Sequence, residues 1–202
     1  MELSANQLWM SRNDAEAERT AQVTARAITG DRAAFEEIVL LHERRVLTLA
    51  YRLLGTPEDA QDAAQEVFLR AFKYLRRFDP SKPLEPWLVR MTVNVCRGAG
   101  RNRLRSRSVF VQSDAQHIDP SRNPHAQLYA EEQKQLLYSA LADLGEKERA
   151  AVVLRDIEGL TTWEVAEILG SAEATVRSQI SVARLKIRKA LHRMKGERDG
   201  LS

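Results

Sequence analysis

Four polar side chains near the C-terminus recur at the spacing of one helical face. Arg177, Ser181, Arg184 and Arg188 lie at offsets 0, 4, 7 and 11, and Ser178 lies beside them. An arginine can form two hydrogen bonds with a guanine, and a serine hydroxyl can reach a phosphate or a base edge. The pattern therefore predicts a face that contacts DNA. A basic face that is only solvated is the alternative.

The residues around this face predict a helix-turn-helix. Thr161 and Glu164 have the spacing of a capping box, and Gly170 suits the left-handed residue that ends the first helix. A long second helix is expected to begin near Glu173. Its buried seam is expected at Val176, Ile180, Ala183, Ile187 and Leu191. A helix with one buried seam and one basic face is what a recognition helix in the major groove requires.

A second basic segment lies in the middle of the chain. Residues 97–107 hold five arginines and no acid. The predicted helix that leads into this segment carries Arg90, Asn94, Arg97 and Arg101 at offsets 0, 4, 7 and 11. Two separated basic segments in a chain of net charge +3 indicate two contacts with a polyanion. A pair of solvated helix faces is again the alternative.

Composition excludes several other classes of protein. The chain has 202 residues, 31 basic and 28 acidic, with Cys96 as its single cysteine and four scattered histidines. We expect no catalytic set, no metal site and no cofactor, because neither an ordered nucleophile nor a ligand cluster is visible. No apolar run reaches the ~18 residues of a membrane span, and the N-terminus lacks the pattern of a secretion signal. Membrane insertion is therefore not expected.

Helical periodicity accounts for most of the chain, and no strand pattern is found. Residues 31–54, 56–78 and 146–157 are the clearest helical segments before the helix-turn-helix. Residues 107–125 lack a sustained period and contain two prolines, which predicts a linker. The expected fold is all-α, with two small helical domains joined by a flexible linker and a C-terminal helix-turn-helix.

Three segments together resemble the extracytoplasmic-function (ECF) group of bacterial sigma factors. They are DAAQEVFLRAFKYLRRFDP, PWLVRMTVNVCRG and LRDIEGLTTWEVAEILGSAEATVRSQISVARLKIRKAL, in the order and at the separations of that family. The resemblance covers roughly residues 25–195. It implies a sigma factor that binds core RNA polymerase, recognises the −10 and −35 promoter elements and enables transcription initiation.

The resemblance also implies site residues in the first domain. One helix would dock on the polymerase through Asp59, Gln65, Glu66, Phe68, Leu69 and Arg70. Phe68 and Leu69 are adjacent, so one of them is expected to face a partner unless the core face is wide. The −10 element would be read by Asn94, Arg97 and Arg101, by Trp87, and by the loop Asp79–Leu84. For Trp87, a place in the core is the competing and preferred interpretation.

In the second domain, the −35 element would be bound by Arg177, Ser178, Ser181, Arg184 and Arg188. Gln179 and Val182 stand where family members often have arginine. Gly98 and Gly100 interrupt a helix that is usually continuous in the family, which leaves the end of that helix open.

The expected organisation is an N-terminal extension (1–24), a sigma region 2 domain (25–106), a linker (107–125) and a sigma region 4 domain (126–198). The protein is expected to work in the cytoplasm, and an anti-sigma factor is a common partner in the family. A conventional helix-turn-helix regulator, which binds duplex DNA without joining the polymerase, is the alternative function.

Overall fold

The computed structural model describes residues 18–103 and 135–199, with side chains described over 18–99 and 135–193. All regular structure in these ranges is helical, which confirms the all-α prediction. The first domain contains α1 (18–28), α2 (Arg32–Leu54), α3 (Pro57–Tyr74) with a 3-10 turn (Leu75–Arg77), and α4 (Leu84–Arg103). The second contains α5 (135–142), α6 (Glu146–Val152) with a π-helical turn (Val153–Ile157), α7 (Thr162–Leu169) and α8 (Glu173–Asp199). The predicted linker lies outside the described residues.

The ends of the first-domain helices follow from local sequence. The Asp31 side chain caps α2 by accepting from the Ala34 N–H at 3.1 Å, and Gly55 ends the helix with φ 86°. Helix α4 begins at Leu84 and carries Pro86 in its first turn, where a proline is tolerated. It continues through Gly98 to Arg103, so the glycine does not end it.

The first domain has its own apolar core between α1, α2, α3 and α4. Ile38 and Val67 are among its fully buried side chains. Val23 and Thr24 on α1 are also buried, at 4% and 3% exposure. Residues 18–24, which the sequence analysis gave to the N-terminal extension, therefore form the first turns of a helix that packs on this domain.

The second domain is built around the start of α8. Val176, Ile180 and Ala183 are buried as predicted, and Ile187 packs against the same cluster. The prediction for Leu191 is wrong, because its side chain is 40% exposed while Ala190 is buried at 2%. A helix turns 100° per residue, so offset 15 lies 60° away from the seam and offset 14 only 40°.

The two domains share one continuous apolar cluster. Leu49 of α2 and Val89 and Val93 of α4 are buried among the core residues of the second domain. The rings of Tyr51 and Tyr138 meet edge to face across the boundary, with centroids 4.7 Å apart. The domains are therefore packed together in this structure. The core of the second domain extends onto α2 and α4, while the first domain has a further core of its own.

Candidate nucleic-acid interface

The helix-turn-helix has the predicted caps. The Glu164 N–H donates to the Thr161 hydroxyl at 3.2 Å, and the Thr161 N–H donates to the Glu164 carboxylate at 2.7 Å. Two hydrogen bonds to the Glu164 carboxylate, first from the Thr161 hydroxyl and then from the Thr161 N–H, lower the pKa of Glu164. Gly170 ends α7 with φ 60°, and α8 begins at Glu173. The capping box and the glycine stop are both confirmed, since both depend on residues close in sequence.

All five polar side chains of the predicted DNA face of α8 are exposed. They are Arg177, Ser178, Ser181, Arg184 and Arg188. They lie outside the buried seam that begins at Val176. One face of α8 is therefore buried and another carries exposed polar side chains, as the spacing predicted. The structure therefore brings these five residues to one open helical surface.

Two of these arginines are held by carboxylates that the sequence analysis did not assign. Arg177 pairs with Glu173 one turn earlier on the same helix, at 3.0 Å. Arg184 pairs with Asp156 in the π-helical turn through two hydrogen bonds of 2.8 and 2.6 Å. The Arg184 guanidinium lowers the pKa of Asp156 and its own pKa is raised in turn. No spacing rule predicts the second pair, because 28 residues separate its members.

The predicted −10 residues of α4 fall into different environments. Asn94 is exposed together with Arg90. Trp87 is half-buried and packs on Phe78 in the first-domain core, with ring centroids 5.1 Å apart, as its preferred interpretation expected. Arg97 is half-buried and donates to a backbone carbonyl of the second domain at 3.0 Å. For Arg101 only the backbone, within α4, is described.

A group of polar contacts also ties the two domains together. The Glu158 carboxylate, only 6% exposed, accepts from Arg52 at 2.8 Å and from Arg45 at 3.3 Å. Arg149 donates to the carbonyl of Leu53 at the end of α2 across 3.1 Å. Its other terminal nitrogen donates to two carbonyls of its own domain. These residues could not be predicted from the sequence, because no local pattern specifies a contact between distant helices.

The face of α3 predicted to meet the polymerase is partly apolar. Leu69 is 67% exposed, whereas Phe68 is half-buried and packs on the first-domain core. Leu69 is therefore the one of the adjacent pair that faces outward. Gln65 and Arg70 are exposed, and Arg70 pairs with the Glu66 carboxylate at 2.6 Å.

Two more residues complete the description of this helix. The Thr56 hydroxyl donates to the Asp59 carboxylate at the start of α3, so Asp59 serves the helix end as well as the surface. Phe72 is 51% exposed and touches Phe35 edge to face, with ring centroids 5.0 Å apart. It lies three residues after Leu69, so the two exposed apolar side chains are neighbours on the helix surface.

Other kinds of site are absent from the described part of the chain. Among the side chains of residues 18–99 and 135–193, no three His, Cys, Asp or Glu are arranged to hold a metal ion. Within the same ranges no helix combines the length and apolar character needed to cross a bilayer.

Comparisons with protein families match both domains. The family described as Sigma-70 region 2 matches residues 38–108, and the family described as Sigma-70, region 4 matches residues 134–187. The two matched segments follow the two cores seen in the structure. They include the predicted DNA face of α4, and that of α8 except for Arg188.

Individual proteins match over most of the chain. It is 38% identical to the ECF RNA polymerase sigma factor SigE of Mycolicibacterium smegmatis, over 84% of the chain and 67% of that protein. It is 30% identical to the RNA polymerase sigma-H factor of Pseudomonas aeruginosa, over 86% of the chain and 94% of that protein.

Two solved structures have a similar fold. The first is CnrH in complex with the cytosolic domain of CnrY, with a TM-score of 0.58 and 28% identity over 86% of this chain and 97% of that one. The second is the sigma factor RpoE in complex with the anti-sigma factor NepR from Bartonella quintana, with a TM-score of 0.57 and 25% identity over 78% of this chain and 96% of that one.

Proposed function

The chain belongs to the ECF sigma factors of RNA polymerase, and on this premise we propose how its surfaces divide the work of transcription initiation. The first domain, from α1 to the end of α4, binds core polymerase and the −10 element. The second domain, from α5 to α8, binds the −35 element. The N-terminal residues 1–17 and the segment 104–134 are given no role in this division.

The −35 contact is assigned to the exposed face of α8. One observation supports this assignment. Five polar side chains of α8 are exposed, while the apolar seam of the same helix is buried. Arg177, Ser178 and Ser181 lie nearest the start of the helix, which is the part that reaches base edges in helix-turn-helix proteins. Arg188 lies farther along the same face, where a phosphate is the natural ligand. Arg184 lies between them with its guanidinium paired to Asp156.

The −10 contact is assigned to α4. Asn94 is the first candidate because it is exposed and can make two hydrogen bonds to one base edge. Arg97 and Arg101 follow on the same helix and would hold the phosphate backbone. The loop from Asp79 to Pro83 precedes this helix and would take an unstacked base, whereas Leu84, the last residue of the predicted loop, is the first residue of α4 and is buried. Trp87 is half-buried against Phe78 and would support this loop through that ring.

The polymerase contact is assigned to the outer face of α3. An exposed leucine among charged side chains is typical of a protein–protein interface, in which a buried apolar centre is surrounded by a polar rim. Leu69 is the centre of this surface, and Gln65, Glu66 and Arg70 form its rim. Asp59 lies at the start of the helix. Phe72 adds apolar area on the side of Leu69 toward α2.

Partners and compartment follow from this role. The chain would act in the cytoplasm, with core polymerase and promoter DNA as its partners, and without catalysis or a cofactor of its own. Both similar solved structures are complexes with a second protein, and one of them is named as a sigma factor bound to an anti-sigma factor. An anti-sigma factor is therefore proposed as a further partner. A conventional helix-turn-helix regulator is not favoured, because the region 2 match has no place in it.

Reconstituted transcription tests the proposal. The full chain is added to core polymerase, transcript starts are mapped on genomic DNA, and one promoter found in this way is used for run-off transcription. Arg177→Ala should reduce run-off and relax the preference at one −35 base pair by roughly 5- to 150-fold. Arg193→Ala is the matched control, since it removes the same charge from α8 about 160° around the helix from Arg177. Absence of any specific transcript would refute the proposed function, and equal effects of the two variants would refute the assignment of the α8 face.

A further inference from the structure

The ion pair between Arg184 and Asp156 is bidentate, although it lies at the surface. The Arg184 Nε donates to one carboxylate oxygen at 2.8 Å and Nη2 donates to the other at 2.6 Å. One edge of the guanidinium is thus fully engaged. The Arg184 side chain is nevertheless 58% exposed, on the face of α8 assigned to DNA.

A guanidinium has five N–H donors. Asp156 takes the Nε hydrogen and one hydrogen of Nη2, so three donors remain for Arg184. Among the residues whose side chains are described, no hydrogen bond from its Nη1 is found. Nη1 and the second hydrogen of Nη2 form the end of the guanidinium, which is the pair of donors that matches O6 and N7 of a guanine.

Asp156 is itself held in place by the core. It lies in the π-helical turn Val153–Ile157, whose first two residues, Val153 and Leu154, are completely buried. Next to it in sequence, Arg155 donates to the carbonyl of Leu160 at 3.1 Å and closes the turn. The carboxylate is therefore presented to α8 from a fixed backbone rather than from a mobile loop.

We propose that Asp156 is a positioning residue for −35 recognition. It holds one edge of the Arg184 guanidinium so that the free end is presented to a guanine in the major groove. This inference rests on the proposed function of α8, and it assigns to the chain a specificity residue that does not touch DNA.

The charge of the pair supports base reading over phosphate binding. The lowered pKa of Asp156 keeps its carboxylate ionised at neutral pH, so the pair carries no net charge. A neutral pair gains little from a phosphate, whereas its free donors can still discriminate between bases. Arg177 differs, because a single hydrogen bond to Glu173 on the same exposed helix holds it only weakly.

Asp156→Asn tests the proposal in the reconstituted holoenzyme. Competition binding is measured over promoters that carry every single substitution in the −35 element, at several salt concentrations. Arg184→Ala should abolish the preference at one G·C pair, a loss of roughly 5- to 150-fold. Asp156→Asn should reduce the preference at that same pair at least threefold. It should also make the log–log salt slope up to about 0.9 more negative, because Arg184 then becomes available to phosphates.

Three further variants complete the design. Asp156→Glu keeps the carboxylate and should retain most of the preference. Asp156→Asn combined with Arg184→Ala should match Arg184→Ala alone. Asp143→Asn, which removes the partner of Arg193 on the side of α8 opposite Arg184, is the control and should change neither the base preference nor the salt slope.

The outcomes separate this inference from the proposed function. If Asp156→Asn lowers the melting temperature but leaves the base preference and the salt slope unchanged, the pair is only structural and the inference fails. A uniform loss over all sequences for Arg184→Ala would make Arg184 a phosphate contact and would also overturn it. If the unaltered holoenzyme shows no −35 preference at all, the proposed function fails instead.

Discussion

The guanidinium of Arg97 on α4 donates a hydrogen bond to the carbonyl oxygen of Leu169, the last residue of α7, across 3.0 Å. Arg97 belongs to the proposed −10 surface, and Leu169 ends the first helix of the helix-turn-helix. The proposed −10 surface therefore contacts the helix-turn-helix directly. A −10 contact by Arg97 would place DNA beside the second domain, so we expect the domains to separate along this edge on promoter DNA.

The distance between the two promoter elements also indicates that the domains separate on DNA. Elements named for positions −10 and −35 are about 25 base pairs apart, which is about 85 Å of duplex. The described part of the chain, about 150 residues, would have a radius of gyration of about 15 Å as one compact body, so it is about 40 Å across. The packed arrangement cannot reach both elements at once. The contacts between the domains are therefore contacts of the free chain.

Glu158 is expected to be the most sensitive polar residue of this domain interface. Glu158→Gln leaves the partly buried Arg52 without its anionic partner and should lower the free energy of unfolding by about 2 kcal/mol. Urea denaturation of the full chain measures the loss, and solution scattering should show a larger radius of gyration. Glu37→Gln is the control, because Glu37 pairs with Arg19 on the surface and should cost less than about 0.5 kcal/mol. Equal losses in the two variants would contradict the special role of Glu158.

The prediction from sequence succeeded where structure is local. The caps at Thr161 and Gly170 and the seam from Val176 to Ala183 depend on residues within a few turns of each other. It did not find the contact of Arg97, because that contact joins residues 72 apart in the chain. By its spacing, Arg97 belongs to a polar stripe that could face DNA. It also lies only 40° around α4 from Val93, which packs on the second domain. Whether Arg97 faces solvent or the second domain therefore depends on how the two domains are arranged.

Leu69 and Phe68 offer a matched pair of substitutions on α3. Leu69→Ala should leave the free energy of unfolding unchanged within about 0.5 kcal/mol, since the side chain is 67% exposed. It should weaken binding to core polymerase about tenfold, as expected for the apolar centre of an interface. Phe68→Ala should do the opposite and cost about 2 kcal/mol of stability, because Phe68 packs on the first-domain core. Urea denaturation and competition for core polymerase measure the two effects, and an L69A variant that binds normally would exclude this face.

Cys96 should be inert in the folded protein. Its side chain is 4% exposed, and burial raises the pKa of the thiol to about 12. At pH 8 only about one molecule in ten thousand would then carry the reactive thiolate. Ellman's reagent should therefore react slowly in buffer and completely in concentrated guanidinium chloride. Rapid reaction under native conditions would show that the first domain opens readily around α4.

Acid should loosen the attachment of α8 to the rest of its domain. Hydrogen bonds from Arg184 lower the pKa of Asp156, and a hydrogen bond from Lys186 lowers the pKa of Glu148. A carboxylate whose pKa is lower in the folded state contributes stability above its unfolded pKa, and this stability is lost as the pH falls through the folded value. The unfolded reference values are 3.8 for Asp156 and 4.5 for Glu148, so the loss should begin below about pH 5. Asp156→Asn should cost less than about 1 kcal/mol at pH 7, because the pair is partly solvated, and the variant should converge with the unaltered chain well below pH 3.8. Urea denaturation at a series of pH values measures this, and a difference that persists at low pH would mean that the carboxylate charge is not its source.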